Sequence, residues 1–189
     1  TVKEVEVSTQ EGQALVSAYG ITKVPTVILS KEAGLSAPFM LAWEGYGTVE
    51  QDGALVLRDA YPPYIDLQTR ELAGNVTIVN LRYEPCTACY DVAQVERGLE
   101  QRYGVSVFNV VEHSYDSEEW AELVAKYNIT KVPTAILSPE LSEYPGVGEL
   151  WVEELGTREA DGWFVFRSMD VPDAVYYDLL LNSTVQKVY

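Results

Sequence analysis

The sequence predicts an α/β fold with a mixed central sheet, built once in full and once in part. Three observations carry this. From residue 75 onward, apolar β-branched runs alternate with runs of helical periodicity. A segment occurs twice, as YGITKVPTVILS over Tyr19–Ser30 and as YNITKVPTAILS over Tyr127–Ser138, with Pro25 and Pro133 lying 108 positions apart. A single C-x-x-C, Cys86-Thr-Ala-Cys89, lies between a strand-like run and a helix-like run.

The complete unit, 75–181, reads from its start. Thr77–Leu81 is apolar and β-branched, as a buried strand is. After the cysteines, Val92, Val95, Leu99 and Tyr103 share one helical face, and Gly104 is placed to end that helix. Val105–Val111 predicts a second strand. Asp116 with Glu119 predicts a helix cap, followed by the face Trp120, Leu123, Val124 and Tyr127 and by Asn128, which tolerates the left-handed turn. Strands are expected at Ala135–Ser138, near Leu150–Leu155 and at Trp163–Arg167. A last helix is expected to begin at Val171-Pro172, where proline suits a first turn. This order implies a parallel strand pair within a mixed sheet.

The first unit, 1–74, is partial. Val2–Val7 corresponds to the second strand of the complete unit, and Ala14, Leu15, Ala18 and Tyr19 lie on the following helix. Trp43 matches Trp151 at the same offset, and Asp52-Gly53 matches Asp161-Gly162 one position further on. The opening strand and the cysteine-bearing helix have no counterpart after Thr1. Residues 182–189, NSTVQKVY, resemble Asn75–Tyr83, NVTIVNLRY, the opening strand of the complete unit. One reading makes Thr184–Tyr189 a strand that completes the first unit, within the chain or from a neighbouring copy. The other makes it a tail.

The formal net charge is −16, with only 13 lysines and arginines. Phosphate-tracking grooves need clustered cations, so nucleic acid and anionic membrane surfaces are excluded as partners. The acidic stretches Glu149, Glu153, Glu154, Glu159, Asp161 and Asp116, Glu118, Glu119, Glu122 read more simply as solvated faces than as cation sites. No apolar run is long enough to span a membrane, so no membrane insertion is expected.

C-T-A-C followed by I-T-K-V-P-T resembles the thioredoxin superfamily, over 75–181 in full and 1–74 in part. The resemblance implies a thioredoxin-like three-layer α/β sandwich. It implies that Cys86 is the attacking thiolate, Cys89 the resolving cysteine and Pro133 a cis-proline facing the sulfurs. Val132, with Thr134 beyond the proline, would bind a substrate strand. A helix N-terminus just behind Cys86 would favour its thiolate. Asn80 stands where the family carries a buried aspartate, and Pro85 where many members carry tryptophan. Glu84 and His113 are candidates for proton transfer, His113 otherwise being a loop residue. A zinc site would need a fourth ligand such as Glu112 beside the two cysteines and His113; neither metal nor cofactor is expected. Val24-Pro25 is expected to keep the cis turn as scaffold.

Asn75, Asn128 and Asn182 open N-x-S/T triplets and are candidate glycan acceptors. With the acidic composition they favour an extracytoplasmic or secreted protein, a cytoplasmic one being the alternative. Two functions are expected from different classes. The first is a thiol–disulfide oxidoreductase acting on protein thiols and disulfides. The second is a structural or assembly protein in which Cys86–Cys89 is a staple and residues 182–189 join subunits.

Overall fold

The computed structural model of the chain describes residues 2–168 and 174–186. Two compact units divide it, Thr1–Ala73 and Gly74–Tyr189.

In the first unit, helix α1 (Gln10–Tyr19) starts at Thr9, whose hydroxyl accepts from the Gly12 N–H, and stops at Gly20 with φ 57°. Strand β1 (Lys23–Val24) precedes a cis Val24–Pro25 bond and β2 (Ile28–Leu29) follows it. Helix α2 (Ala37–Trp43) leads to β3 (Gly47–Val49), β4 (Leu55–Leu57), β5 (Tyr64–Asp66) and β6 (Leu72–Ala73). These make two antiparallel sheets of order β2-β4-β3 and β1-β5-β6.

In the second unit, β7 (Val76–Leu81) precedes the cysteines and α3 (Ala93–Tyr103) follows them. Then come β8 (Val107–His113), α4 (Glu118–Lys126), β9 (Lys131–Val132) and, after a cis Val132–Pro133 bond, β10 (Thr134–Leu137). Helix α5 (Val147–Leu150) runs on as a π-helical turn, Trp151–Leu155. Strands β11 (Gly156–Arg158), β12 (Phe164–Phe166), β13 (Val175–Asp178) and β14 (Ser183–Gln186) complete it. The main sheet has the order β11-β12-β10-β7-β8, with β7 and β8 parallel and its other pairs antiparallel. It is thus a mixed five-stranded sheet carrying the expected parallel pair.

Alternation along the strands gives each sheet face its own core. Val76, Ile78, Ala135, Leu137, Phe164 and Phe166 meet Leu99 of α3 and Trp151 on one face. Leu81, Ile136 and Val165 meet Trp120 of α4 on the other.

Several expectations change. Leu150–Leu155 is helical rather than a strand, because Val147, Trp151 and Leu155 recur every fourth residue and turn one side into the core. The cap of α4 is Ser117 rather than Asp116; its hydroxyl accepts from the Trp120 N–H at 3.2 Å. Val2–Val7 forms no strand. Its counterpart β8 is an edge strand whose ladder partner is β7, and among the described residues the first unit has no strand in the place of β7. The helix expected from Val171-Pro172 begins outside the described residues, and Val175–Asp178 is a strand instead, laid against Lys131–Val132. Ser183–Gln186 is the second strand of a hairpin with β13; among the described residues β14 pairs with β13 alone. The remainder of the tail reading, residues 187–189, lies outside the described residues.

The same contacts recur in both units. Arg58 bonds Glu50, Thr48 and the Gly20 carbonyl; Arg167 bonds Glu159, Thr157 and the Asn128 carbonyl. Tyr19 donates to Asp52 at 2.9 Å and Tyr127 to Asp161 at 3.0 Å. Lys126 beside Asp161, and then the bond from Tyr127, hold that carboxyl below its ordinary range. Asp66 and Asp178 each accept two amide bonds that turn their hairpins, from Gln68 and Thr69 and from Leu180 and Leu181. Asp66 faces Lys23 as Asp178 faces Lys131. By this register Ser183 stands where Glu71 stands in the first unit, so the described tail matches the end of the first hairpin rather than Asn75–Tyr83.

Candidate functional site: the cysteine turn and the hairpin beside it

Cys86 and Cys89 are joined by a disulfide, with their Cα atoms 5.4 Å apart. Both are half-buried. They lie in consecutive turns, the Cys86 N–H donating to the Tyr83 carbonyl and the Cys89 N–H to the Cys86 carbonyl. The expectation that the motif opens the helix is corrected here. Helix α3 begins four residues after Cys89, at Ala93, whose N–H donates to the Asp91 carboxylate at 3.1 Å. Tyr90 is held elsewhere: its N–H donates to the Val175 carbonyl at 2.9 Å, tying the chain after the cysteines to β13. The N–H groups of the helix's first turn therefore lie at Ala93 and beyond, and the pull of the dipole, confined to that turn, falls on Asp91 rather than on Cys86. Arg97, the Ala93 amide and the more distant Arg82 keep the Asp91 carboxyl below its ordinary range.

Pro133 lies at the start of β10, where Thr134 pairs with Leu81 at the end of β7, the strand that leads to the cysteines. The Tyr90 hydroxyl donates to the Pro133 carbonyl at 2.7 Å, linking the cis-proline to the residue after Cys89. Burial, with the charge of Asp91, raises the Tyr90 pKa.

The two substrate-binding candidates are engaged within the chain. Val132 is 0% exposed and pairs with Tyr177 of β13. Thr134 is equally buried, and its hydroxyl donates to the Phe166 carbonyl at 2.7 Å. A two-residue strand ending at a buried edge is open to any second strand, and here the chain fills that edge itself.

The two proton-transfer candidates also fall into other roles. Burial would raise the Glu84 pKa, but bonds from its own amide, the Tyr115 N–H and Ser114, with the charge of Arg82, outweigh it and hold Glu84 low. It is an anionic anchor for the Ser114–Tyr115 loop. His113 ends β8 half-buried, its carbonyl accepting from the Arg82 N–H, and Glu112 is bound to Arg82 at 2.9 Å. Among the described residues no three His, Cys, Asp or Glu side chains gather as a metal-binding group.

Asn80 is 1% exposed with its Oδ1 unpartnered, a placement that costs about 1–3 kcal/mol. Alternation puts it on the α3 side with Val76 and Ile78. Asn128 and Asn182 adopt positive φ, 49° and 52°, and both are exposed, while Asn75 is half-buried. The Asn182 Oδ1 accepts from the Tyr177 hydroxyl at 2.6 Å.

The sequence reading missed the β13–β14 hairpin. Thr184 Oγ1 lies 3.9 Å from Cys86 Sγ, and Tyr177 stacks on Tyr83 with centroids 4.4 Å apart. Burial, and then the bond and charge of Tyr177, push the Tyr83 pKa up to about 12. A signal was present: Tyr64-Ile-Asp-Leu and Tyr176-Tyr-Asp-Leu recur as Y-x-D-L, each at the start of a hairpin. Among the described residues no helix is long and apolar enough to cross a membrane. No protein-family model, curated protein or solved structure matches the chain.

Proposed function

We propose that this chain is a thioredoxin-like thiol–disulfide exchange protein, with Cys86–Cys89 as its working pair and protein thiols or disulfides as its substrates. The observation that carries the reading is a half-exposed disulfide followed by Tyr90, whose hydroxyl donates to the carbonyl of the cis-proline Pro133. In this reading a substrate thiolate attacks Cys86, the bond to Cys89 breaks, and Cys89 leaves as a thiolate that takes a proton from solvent. A second substrate thiolate then displaces Cys86, so the substrate leaves as a disulfide and the protein as a dithiol. The reverse sequence reduces a substrate. Such a pair persists as a disulfide most readily outside the cytoplasm, and an extracytoplasmic location belongs to the same proposal.

Equilibration against graded thiol buffers, with free thiols counted by maleimide mass shift, tests it. The expected midpoint lies within about −270 to −120 mV, the range of exchange proteins. A midpoint below about −300 mV would make the bond a staple and end the exchange reading.

A second reading, assembly by strand addition, is favoured by the edge of β2. In the second unit, Ile136 of β10 pairs with Val79 of β7 on one side and Val165 of β12 on the other. Its counterpart Ile28 pairs with Val56 of β4, and among the described residues the other edge of β2 has no strand. Antiparallel alternation turns the Ile28 N–H and C=O to that edge. The reading expects concentration-dependent association in sedimentation velocity, with the edge of β2 filled by a strand from a second copy. Val27→Lys, charging a side chain now 48% exposed beside that edge, should abolish it. Association unchanged by Val27→Lys, or none at all, would remove this reading.

A further inference from the structure

We propose that the β13–β14 hairpin is a gate in cis over Cys86–Cys89, filling the strand position on Val132 that a substrate would need. The proposal rests on the exchange reading above and names the regulation of that same site.

The hairpin touches the cysteine turn at three successive points. Before the motif, Tyr177 stacks on Tyr83. At the motif, Thr184 lies against Cys86 Sγ. After it, the Val175 carbonyl accepts from the Tyr90 N–H. Val132, Tyr177 and Thr184 form one cross-strand row, since Tyr177 pairs with both of the others. Residues opposite one another across a ladder show their side chains on the same face. The row therefore leads from the residue before the cis-proline directly to the sulfur.

The hairpin is also lightly attached. Its ladder to the rest of the unit consists of Tyr177–Val132 and Asp178–Lys131, extended by the Leu179 N–H donating to the Thr130 carbonyl. Ser183, Thr184 and Gln186 are exposed. Tyr176 packs against one core and Tyr177 and Leu179 against the other, all only partly buried, and an element held by so short a ladder opens below the global unfolding free energy. A segment that lies against the sulfur, occupies the docking edge and opens locally has the properties of a gate. The first unit carries the same hairpin on Val24 with no cysteine in that unit, so the hairpin belongs to the fold and its gating role arises where the cysteines lie beneath it.

The closed hairpin keeps an incoming thiolate from Cys86 Sγ. When it opens, a dithiol can react: one of its sulfurs bonds to Cys86 as the Cys86–Cys89 bond breaks, and Cys89 leaves as a thiolate that is then protonated. The second sulfur closes on the first and releases Cys86, so the dithiol is oxidised and the protein reduced.

The test compares the full chain with Tyr177→Ala, following reduction of Cys86–Cys89 by dithiothreitol. Removing the stacked ring is expected to accelerate reduction about tenfold, in keeping with what an aromatic pair and its buried area contribute. Tyr83→Leu removes the stack from the other partner and gives the same result if Tyr177→Ala does not fold. In the unaltered chain, the Tyr90 and Leu179 amides should exchange hydrogen well before the amides of β7 and β10. Equal reduction rates in the folded variants and the parent, or equal protection of these amides and the sheet, would overturn the gate. The two proposals fail separately. Accelerated reduction with a midpoint too low for exchange leaves the gate and removes the exchange reading. Equal rates with a working midpoint do the opposite.

Discussion

Gly156→Ala is expected to destabilise the second unit by about 3 kcal/mol or more, lowering its thermal midpoint by roughly 10 °C. The reason is proximity, not backbone conformation, for φ at Gly156 is −178°, extended and open to any residue. A Cβ there would lie 1.9 Å from the Val165 carbonyl oxygen and 2.7 Å from the Trp151 Nε1. The first contact is backbone in the adjacent strand of the sheet, which cannot give way without breaking the β11–β12 ladder. The second would push Trp151, 1% exposed, off the bond its indole N–H donates to the Val165 carbonyl at 3.3 Å. Gly98→Ala is the control. Gly98 lies within α3, a Cβ there meets nothing within 4 Å, and the change should stabilise by about 0.5–1 kcal/mol through helix propensity. Calorimetric melts of the two variants should move in opposite directions, and a Gly156→Ala melt that overlays the parent would refute the account of this corner.

Replacing the cysteines singly is expected to separate their roles. Cys86→Ser should remove exchange with a model disulfide such as oxidised glutathione down to the buffer background. Cys89→Ser should instead leave Cys86 able to attack and unable to be resolved, so the mixed disulfide accumulates and appears as an added glutathione mass. The difference in rate of mixed-disulfide formation between the two should be on the order of 10–100-fold, since rate follows which sulfur is accessible to attack. The chain after Cys89 is tied down through the Tyr90 N–H and hydroxyl. If Cys86→Ser trapped glutathione faster than Cys89→Ser, the assignment of attacking and resolving sulfurs would be reversed.

What was legible in advance follows a physical division. Helix ends announced themselves because their signals are local: Gly104 and Asn128 end α3 and α4 in left-handed conformations, as their residue types allow. Strands β7, β10 and β12 were legible as apolar runs buried on both faces. The stretch after Leu150 was misread because Trp151, Val152 and Leu155 suit a strand by composition, and only the core position of Trp151 turns it into a helix. Val2–Val7 fails from the opposite cause: its pattern suits a strand, but no ladder partner stands beside it among the described residues. At the site, the cysteine pair and the cis-proline were visible in the motif. The engagement of Val132, Thr134 and Glu84 was not, since their partners Tyr177, Phe166 and Tyr115 are 31–45 positions away.

Local signals along the chain suffice for the twofold use of one segment, the α/β class with its parallel pair, and the nearness of two sulfurs separated by two residues. Each of these depends on periodicity, turn chemistry or short spacing, which neighbouring residues settle among themselves. Long-range packing, by contrast, sets Thr184 beside Cys86, starts α3 beyond the cysteines, and leaves one edge of β2 without a strand among the described residues. Those outcomes depend on which strand finds which edge. A backbone N–H or C=O is the same group in every residue, so a chain that displays its strands does not display their pairing.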